Sequence, residues 1–455
     1  MFSTPLYDLD TNSFIRGGLS WDIYHNPFQN IFLAGMAKIS SIPEFIISFQ
    51  ILAYSLSASF LAHLLFSRKT FLFPALFLAA FEPVSMFYNF SFLPESFYTS
   101  FTLLYCAFLI LYFRKPGAGL AFLFGLGMGL AFLCKLSAMT QSILFGLILL
   151  SSKNNISVKI KHLAMGLAPF IACYLFVLIG QRIINEAGLY VVSGRVRWDF
   201  ANSQYHPEEI QADEFKRYVH PHFLTNGKLP AGRELRRELS FLGYKNCVDE
   251  YTEKTRKETV AIHSCDSIFG DVGSQILSQH RIDASLQFIR DNFYALHHLN
   301  YLDYRFTKGL PYYHDEKEYQ YLDSLMQKHY GFSLVNKKSQ LPQVWKNLSF
   351  SNIYIPVLWW SILICILISG GWHLKNLIKG FKKTRRISGF NFSSPEIIIP
   401  AFLLAIPWLF HLVYISYRPR FLAPYFVIGI FSMLYFLFHL LLKKTERKNS
   451  ESDIS

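Results

Sequence analysis

The sequence predicts an all-α polytopic membrane protein, with about nine transmembrane helices and a mostly helical extracytoplasmic domain. Three observations predict it. Hydrophobic residues make up 52% of the 455 and aromatic residues 17%, more than an ordinary soluble enzyme carries. The apolar residues gather into runs close to the roughly 20 that a helix needs to cross a bilayer core of about 30 Å. Between the runs, Lys and Arg collect in alternate loops, the bias expected of a chain that crosses repeatedly.

The apolar segments lie near 43–66, 71–90, 93–113, 117–135, 137–152, 162–180, 353–372, 396–416 and 421–442. The fifth is short, and the second contains Glu82 and Pro83. No cleavable signal peptide is expected, because the first forty residues lack a basic start followed by an apolar run. Arg68 and Lys69, Arg114 and Lys115, Lys153, Lys159 and Lys161, "HLKNLIKGFKKTRR" at 373–386 and "KKTERK" at 443–448 all fall on one side, which is therefore the cytoplasm. The other side receives the first forty residues, turns near 91 and Lys135, the 172 residues from 181 to 352, and "RPR" at 418–420.

Five regions follow. Residues 1–42 form an outer loop with juxtamembrane helices, 43–180 a bundle of six transmembrane helices, and 181–352 the extracytoplasmic domain. Residues 353–442 form a bundle of three helices and 443–455 a polar cytoplasmic tail. Within the outer segment, "EEIQADEFKRYV", "AGRELRRELSFLGY" and "YLDSLMQKHYGF" carry helical periodicity, punctuated by Pro, Gly and Asn.

Charge and cysteines narrow the function classes. Of the net +13, residues 181–352 hold almost none, with 22 basic and 21 acidic side chains, so the excess sits in cytoplasmic loops near lipid headgroups. No basic stripe with interleaved aromatics is present, and nucleic acid is not an expected partner. Cys106, Cys134, Cys173 and Cys365 lie in predicted helices as packing residues. Cys247 and Cys265 alone share the outer segment, and in an oxidising compartment they can pair. No Cys/His spacing resembles a zinc site, and "LHH" at 296–298 lacks a partner motif, so no metal is expected.

The outer-facing motifs carry a resemblance. "DTNSFI" at 10–15, then "YHNPFQNIFLAGMAKI" at 24–39, resemble the aspartate run and H-x-P element of the GT-C class of membrane glycosyltransferases, the protein mannosyltransferase and aminoarabinose transferase-like superfamily. "FLPESFYTSF" at 92–101 looks like the acidic start of a later helix in that class, and "GLGMGLAFLCKLSAM" at 125–139 is similar to its glycine-rich element ending in a cation. "SGRVRWDFAN" at 193–202 is like the entry to its large outer loop, and "YRPRFLAPYF" at 417–426 resembles its terminal R-Y-x-x-P motif. Two departures stand out. Members carry a transmembrane helix before the aspartate, where only seven residues precede Asp8 here, so a further helix is expected upstream; and no glutamate precedes "RPRF".

The resemblance implies an inverting transfer of a sugar from a polyprenyl-phosphate donor to a hydroxyl of a glycan, lipid or protein, at the outer face of the bacterial cytoplasmic (inner) membrane. No cofactor is implied. The chemistry needs a base for the acceptor proton and cations for the departing phosphate. Asp10 reads as that base, partial desolvation raising its basicity, or as the cap of a juxtamembrane helix. Asp8 reads as a cap or support, with the base as its other role. Glu95, after Pro94, reads as a second catalytic carboxylate that orients the acceptor, or as an acid placed to suit a helix dipole. Lys135, Arg418 and Arg420 are candidates for the donor phosphate, against snorkelling to headgroups. His25 and Arg195 complete the candidate set, against local packing and a solvated loop face. Glu82 is left outside it. A transporter or flippase of lipid-linked sugars, a polysaccharide polymerase or ligase, and a membrane scaffold remain as other classes; the first lacks the two-fold hydropathy repeat common in transporters.

Overall fold

In the computed structural model the described residues are 27–40, 42–66, 69–80, 82, 85, 89, 94–135, 138, 146, 155–185, 193–224, 233–297, 324, 360, 364, 426–435 and 438. Among them there is no strand. The helices are α1 (Phe28–Ile39), α2 (Pro43–Leu65), α3 (Lys69–Ala80), α4 (Glu95–Arg114), α5 (Ala118–Cys134), α6 (Ile156–Asn185), α7 (Ser193–Ala201), α8 (Asp213–Phe223), α9 (Arg233–Thr255), α10 (Glu258–His297) and α11 (Phe426–Tyr435).

Among the described residues, three helices are long and apolar enough to cross a membrane: Glu44–Leu65, Glu95–Arg114 and Ile156–Ile183. Helices α3, α5 and α11 are apolar but shorter. In the segment expected over 71–90 one helix is Lys69–Ala80; Glu82 is not helical, while Ser85 and Asn89 are helical again. The break at Glu82 has a local cause, since Pro83 disfavours helical backbone at Glu82, and the buried Glu82 carboxylate accepts the Ser85 N–H at 2.5 Å. A carboxylate inside an apolar run thus serves as a backbone cap. Helix α6, by contrast, outruns its expected 162–180 at both ends. The spans expected at 137–152, 353–372 and 396–416 lie outside the described residues, apart from single positions.

Glycines set how closely the bundle packs. Helix α5 runs against α4 on one side and α6 on the other. A Cβ at Gly125 would stand 1.8 Å from the Gly166 carbonyl oxygen, and one at Gly129 would stand 2.8 Å from the Cys173 sulfur. On the opposite face, a Cβ at Gly127 would come within 3.0 Å of the Tyr105 Cβ. "GLGMG" therefore acts through missing side chains, letting α5 touch both neighbours at once. At one end, Arg114 donates to the Leu64 carbonyl at 2.9 Å, tying the C-termini of α4 and α2 together. Tyr112 and His162 meet at 2.8 Å close to that end. Helix α11 joins the same core, where Phe431 and Tyr435 pack on Phe66 and Phe438 packs on Phe71.

Helices α7 to α10 build a second core. The fully buried Trp198 lies edge-on to Tyr205, Phe215 and Phe269, and its indole N–H donates to Ser240 at 2.7 Å. Asp266 on α10 accepts the Gly194 and Arg195 N–H groups at 2.8 and 2.9 Å, satisfying the N-terminus of α7. Gly194 permits that approach, since a Cβ there would lie 1.9 Å from the Asp266 carbonyl oxygen. The Tyr205 hydroxyl, 2.6 Å from His220 Nε2, is held well above its ordinary range by burial, while burial pushes His220 down. Each shift favours the neutral form, so the pair reads as a phenol donating to a neutral imidazole.

Cys247 of α9 and Cys265 of α10 are both fully buried and joined, with S–S 2.04 Å. Cys106, Cys134 and Cys173 are free thiols. A closed loop of 18 positions stabilises by about 3 kcal/mol in the chain-entropy model. Replacing both cysteines by Ser is therefore expected to lower the thermal midpoint of the purified protein. An unchanged midpoint would show that the link adds no stability.

Candidate functional site

Two of the residues singled out by sequence meet in space. Glu95 opens α4 directly after Pro94, and Lys135 follows the last residue of α5. The two helices form an antiparallel hairpin, so the first turn of one lies beside the last turn of the other. A carboxylate at a helix N-terminus and an ammonium at a helix C-terminus each suit the local dipole. Here they also face one another. Lys135 Nζ donates to Glu95 Oε1 at 2.7 Å, with the side chains only 10% and 2% exposed. An ion pair this enclosed is held in one geometry, and removing either residue takes from the other a contact that offsets its desolvation.

The surroundings are polar for an apolar helix. The whole first turn of α4 and its continuation, from Glu95 to Ser100, is buried, and Ser96 donates to Asn89 at 2.6 Å. Thr99 and Ser100 turn back onto carbonyls four residues earlier. Helix α1 lies against this turn through aromatic rings. Phe28 and Phe32 stand 5.1 and 4.5 Å from Phe97, and Phe28 stands 5.3 Å from Phe101.

Beside Phe28 on α1 are Gln29 and Asn30, which are 0% and 1% exposed. Among the described residues, neither nitrogen nor oxygen of either amide has a hydrogen-bond partner. Leaving a buried amide unsatisfied costs about 1–3 kcal/mol, so two adjacent ones mark a place where partners other than these helices are needed. Sequence reading missed both. The signal was present in "NPFQNIFLAG", where two neighbouring amides open an otherwise apolar helix.

Arg195 sits elsewhere. It lies on helix α7, in the core built by α7 to α10, and not on a solvated loop. Its guanidinium covers the Phe241 ring at 4.6 Å and the Tyr244 ring at 5.4 Å, with Asp199 at 3.8 Å. That is a packing and cation–π role. The neighbouring Arg197 donates to Ser274 at 2.7 Å. Asp8, Asp10, His25, Arg418 and Arg420 lie outside the described residues. The site as described is therefore the Glu95–Lys135 pair at the buried start of α4, with α1, which carries the two buried amides, packed on that start through Phe28 and Phe32.

Such an arrangement can do two things chemically. A lysine fixed by a carboxylate presents a positioned cation for an anionic group, and buried amides offer both donors and acceptors to hydroxyls. A scan against protein-family models finds no match for the chain, and neither curated proteins nor solved structures match it.

Proposed function

We propose that this chain is an inverting membrane glycosyltransferase, a multi-pass protein of the bacterial inner membrane that works at its outer face. It moves a sugar from a polyprenyl-phosphate donor to an acceptor hydroxyl. The observation that carries the reading is the buried Glu95–Lys135 pair at the joined ends of α4 and α5. In this scheme Asp10 takes the proton of the acceptor hydroxyl as its oxygen attacks the anomeric carbon. The carbon–phosphate oxygen bond breaks, and the lipid phosphate departs toward Lys135 and Arg420. One displacement inverts the centre.

Glu95 then acts as a positioning residue, since it holds Lys135 at a set distance instead of touching the acceptor. Gln29 and Asn30 supply hydrogen bonds to sugar hydroxyls, which would satisfy the amides that lack partners among the described residues. Asp8, His25 and Arg418 support the same side, and a cysteine pair suits an oxidising outer compartment. The reading is supported by these side chains and by the order of the sequence motifs.

The test is transfer of labelled sugar from a polyprenyl-phosphate donor by the purified protein, run beside a translocation assay in reconstituted vesicles. Transfer without translocation is expected. Translocation of the intact donor with no transfer would replace this reading with a flippase.

A further inference from the structure

Away from the Glu95–Lys135 pair, the outer helical segment gathers a second set of ligating side chains. "HPEE" at 206–209 forms a tight turn after Tyr205, closed by the Glu209 N–H donating to the His206 carbonyl at 3.0 Å. This turn brings His206, Glu208 and Glu209 together, so that one donor atom of each lies within 4.8 Å of the others. His206 Nδ1 is 3.8 Å from Glu208 Oε1.

Helix α10 supplies a fourth group. Its backbone leaves helical geometry at His280, where φ is −123° and ψ is 33°. The ring reaches Glu209, with His280 Nε2 3.1 Å from Glu209 Oε2, and its centroid lies 5.7 Å from that of His206. Gln275, one turn earlier, holds the Glu209 carbonyl at 3.2 Å and keeps the turn against the helix. The three donors of the turn thus lie together, and an imidazole 71 positions away holds one of them, the Glu209 carboxylate.

We propose that His206, Glu208 and Glu209 bind a divalent cation of the zinc class, with His280 positioning the Glu209 carboxylate. The donor set suits a borderline metal, because imidazole nitrogens select against calcium and magnesium while carboxylates complete the charge. The distances fit as well. Zinc bonds to nitrogen and oxygen are about 2.0–2.2 Å, which places tetrahedral donors about 3.4 Å apart. The His206–Glu208 pair at 3.8 Å, and the 4.8 Å within which all three donors lie, leave only a small closure to reach that separation. A bound ion would hold the three donors of the turn, and the His280–Glu209 hydrogen bond would tie that loaded turn to α10. The 15 positions from Cys265 to His280 span about 22 Å of helix, so metal and disulfide would fasten α10 at two separate places. The proposal is independent of sugar transfer. Cys/His spacing does not reveal it, because the turn carries a single histidine and no cysteine beside its two glutamates.

The experiment uses full-length protein purified with its disulfide intact and stripped with a chelator. Zinc ion alone is then titrated by calorimetry, with bound metal counted by elemental analysis after dialysis. One zinc per chain and a raised thermal midpoint are expected. His206→Gln and Glu208→Gln, at a half-buried and an exposed position, should each weaken zinc binding at least about tenfold, and combining the two should abolish it. Each variant's metal-free midpoint is compared with the parent to separate lost binding from lost folding. Parent protein that takes up no zinc overturns the proposal, as does unchanged zinc affinity in a folded His206→Gln or Glu208→Gln variant.

Discussion

Asp10→Asn is expected to lower sugar transfer roughly 10²- to 10⁴-fold, the contribution of a well-placed general base, while membrane abundance stays at the parent level. Asparagine keeps the size and the hydrogen-bonding oxygen of aspartate but cannot accept the acceptor's proton. Asp8→Asn serves as the contrast. If Asp8 caps a juxtamembrane helix, its loss costs about 0.5–2 kcal/mol of stability and leaves turnover nearly intact. Rates per folded molecule, measured with a labelled polyprenyl-phosphate donor, separate the two roles. Should Asp10→Asn transfer at the parent rate at equal abundance, Asp10 is structural and the mechanism fails.

Lys135→Ala is expected to cost about 3–5 kcal/mol, because it leaves the 2%-exposed Glu95 carboxylate without its 2.7 Å ion-pair partner. The readouts are membrane abundance and the monodisperse fraction on size exclusion. Replacing both residues, as Glu95→Gln with Lys135→Met, removes both charges and is expected to restore most of the folded protein. That double variant decides between roles. A purely structural pair predicts parent turnover once folding is restored, whereas a cation that meets the donor phosphate predicts folded protein with little transfer. Parent turnover in the double variant would remove Lys135 and Glu95 from the mechanism.

Much of the local structure is legible along the chain. The runs at 43–66, 93–113 and 117–135 correspond to α2, α4 and α5 to within two residues, because burying apolar side chains in helical register is a property each segment carries by itself. Cys247 and Cys265 also stood out, being alone in one segment. The helices after residue 181 were harder to read. "AGRELRRELSFLGY" announces α9, but α10 runs from Glu258 to His297 through Gly270, Gly273 and a break at His280, features that read as punctuation. Those glycines lie where α10 crosses α7, with a Cβ at Gly273 only 2.7 Å from the Trp198 nitrogen. Close packing, not chain reversal, explains them.

Composition and periodicity by themselves pointed to helices, with no strand among the described residues, to apolar runs, to a charge bias between loops, and to a short list of polar residues near helix ends. Each of those properties depends on neighbours a few positions away. Only the tertiary structure decided which polar residues meet: Glu95 with Lys135 across 40 positions, Arg195 with Phe241 and Tyr244, and Glu209 with His280. The physical reason is that side-chain pairing depends on how helices cross and how closely they approach. In the bundle that approach is set by missing side chains at Gly125, Gly127 and Gly129, whose effect appears only when α4 and α6 are in place on either side.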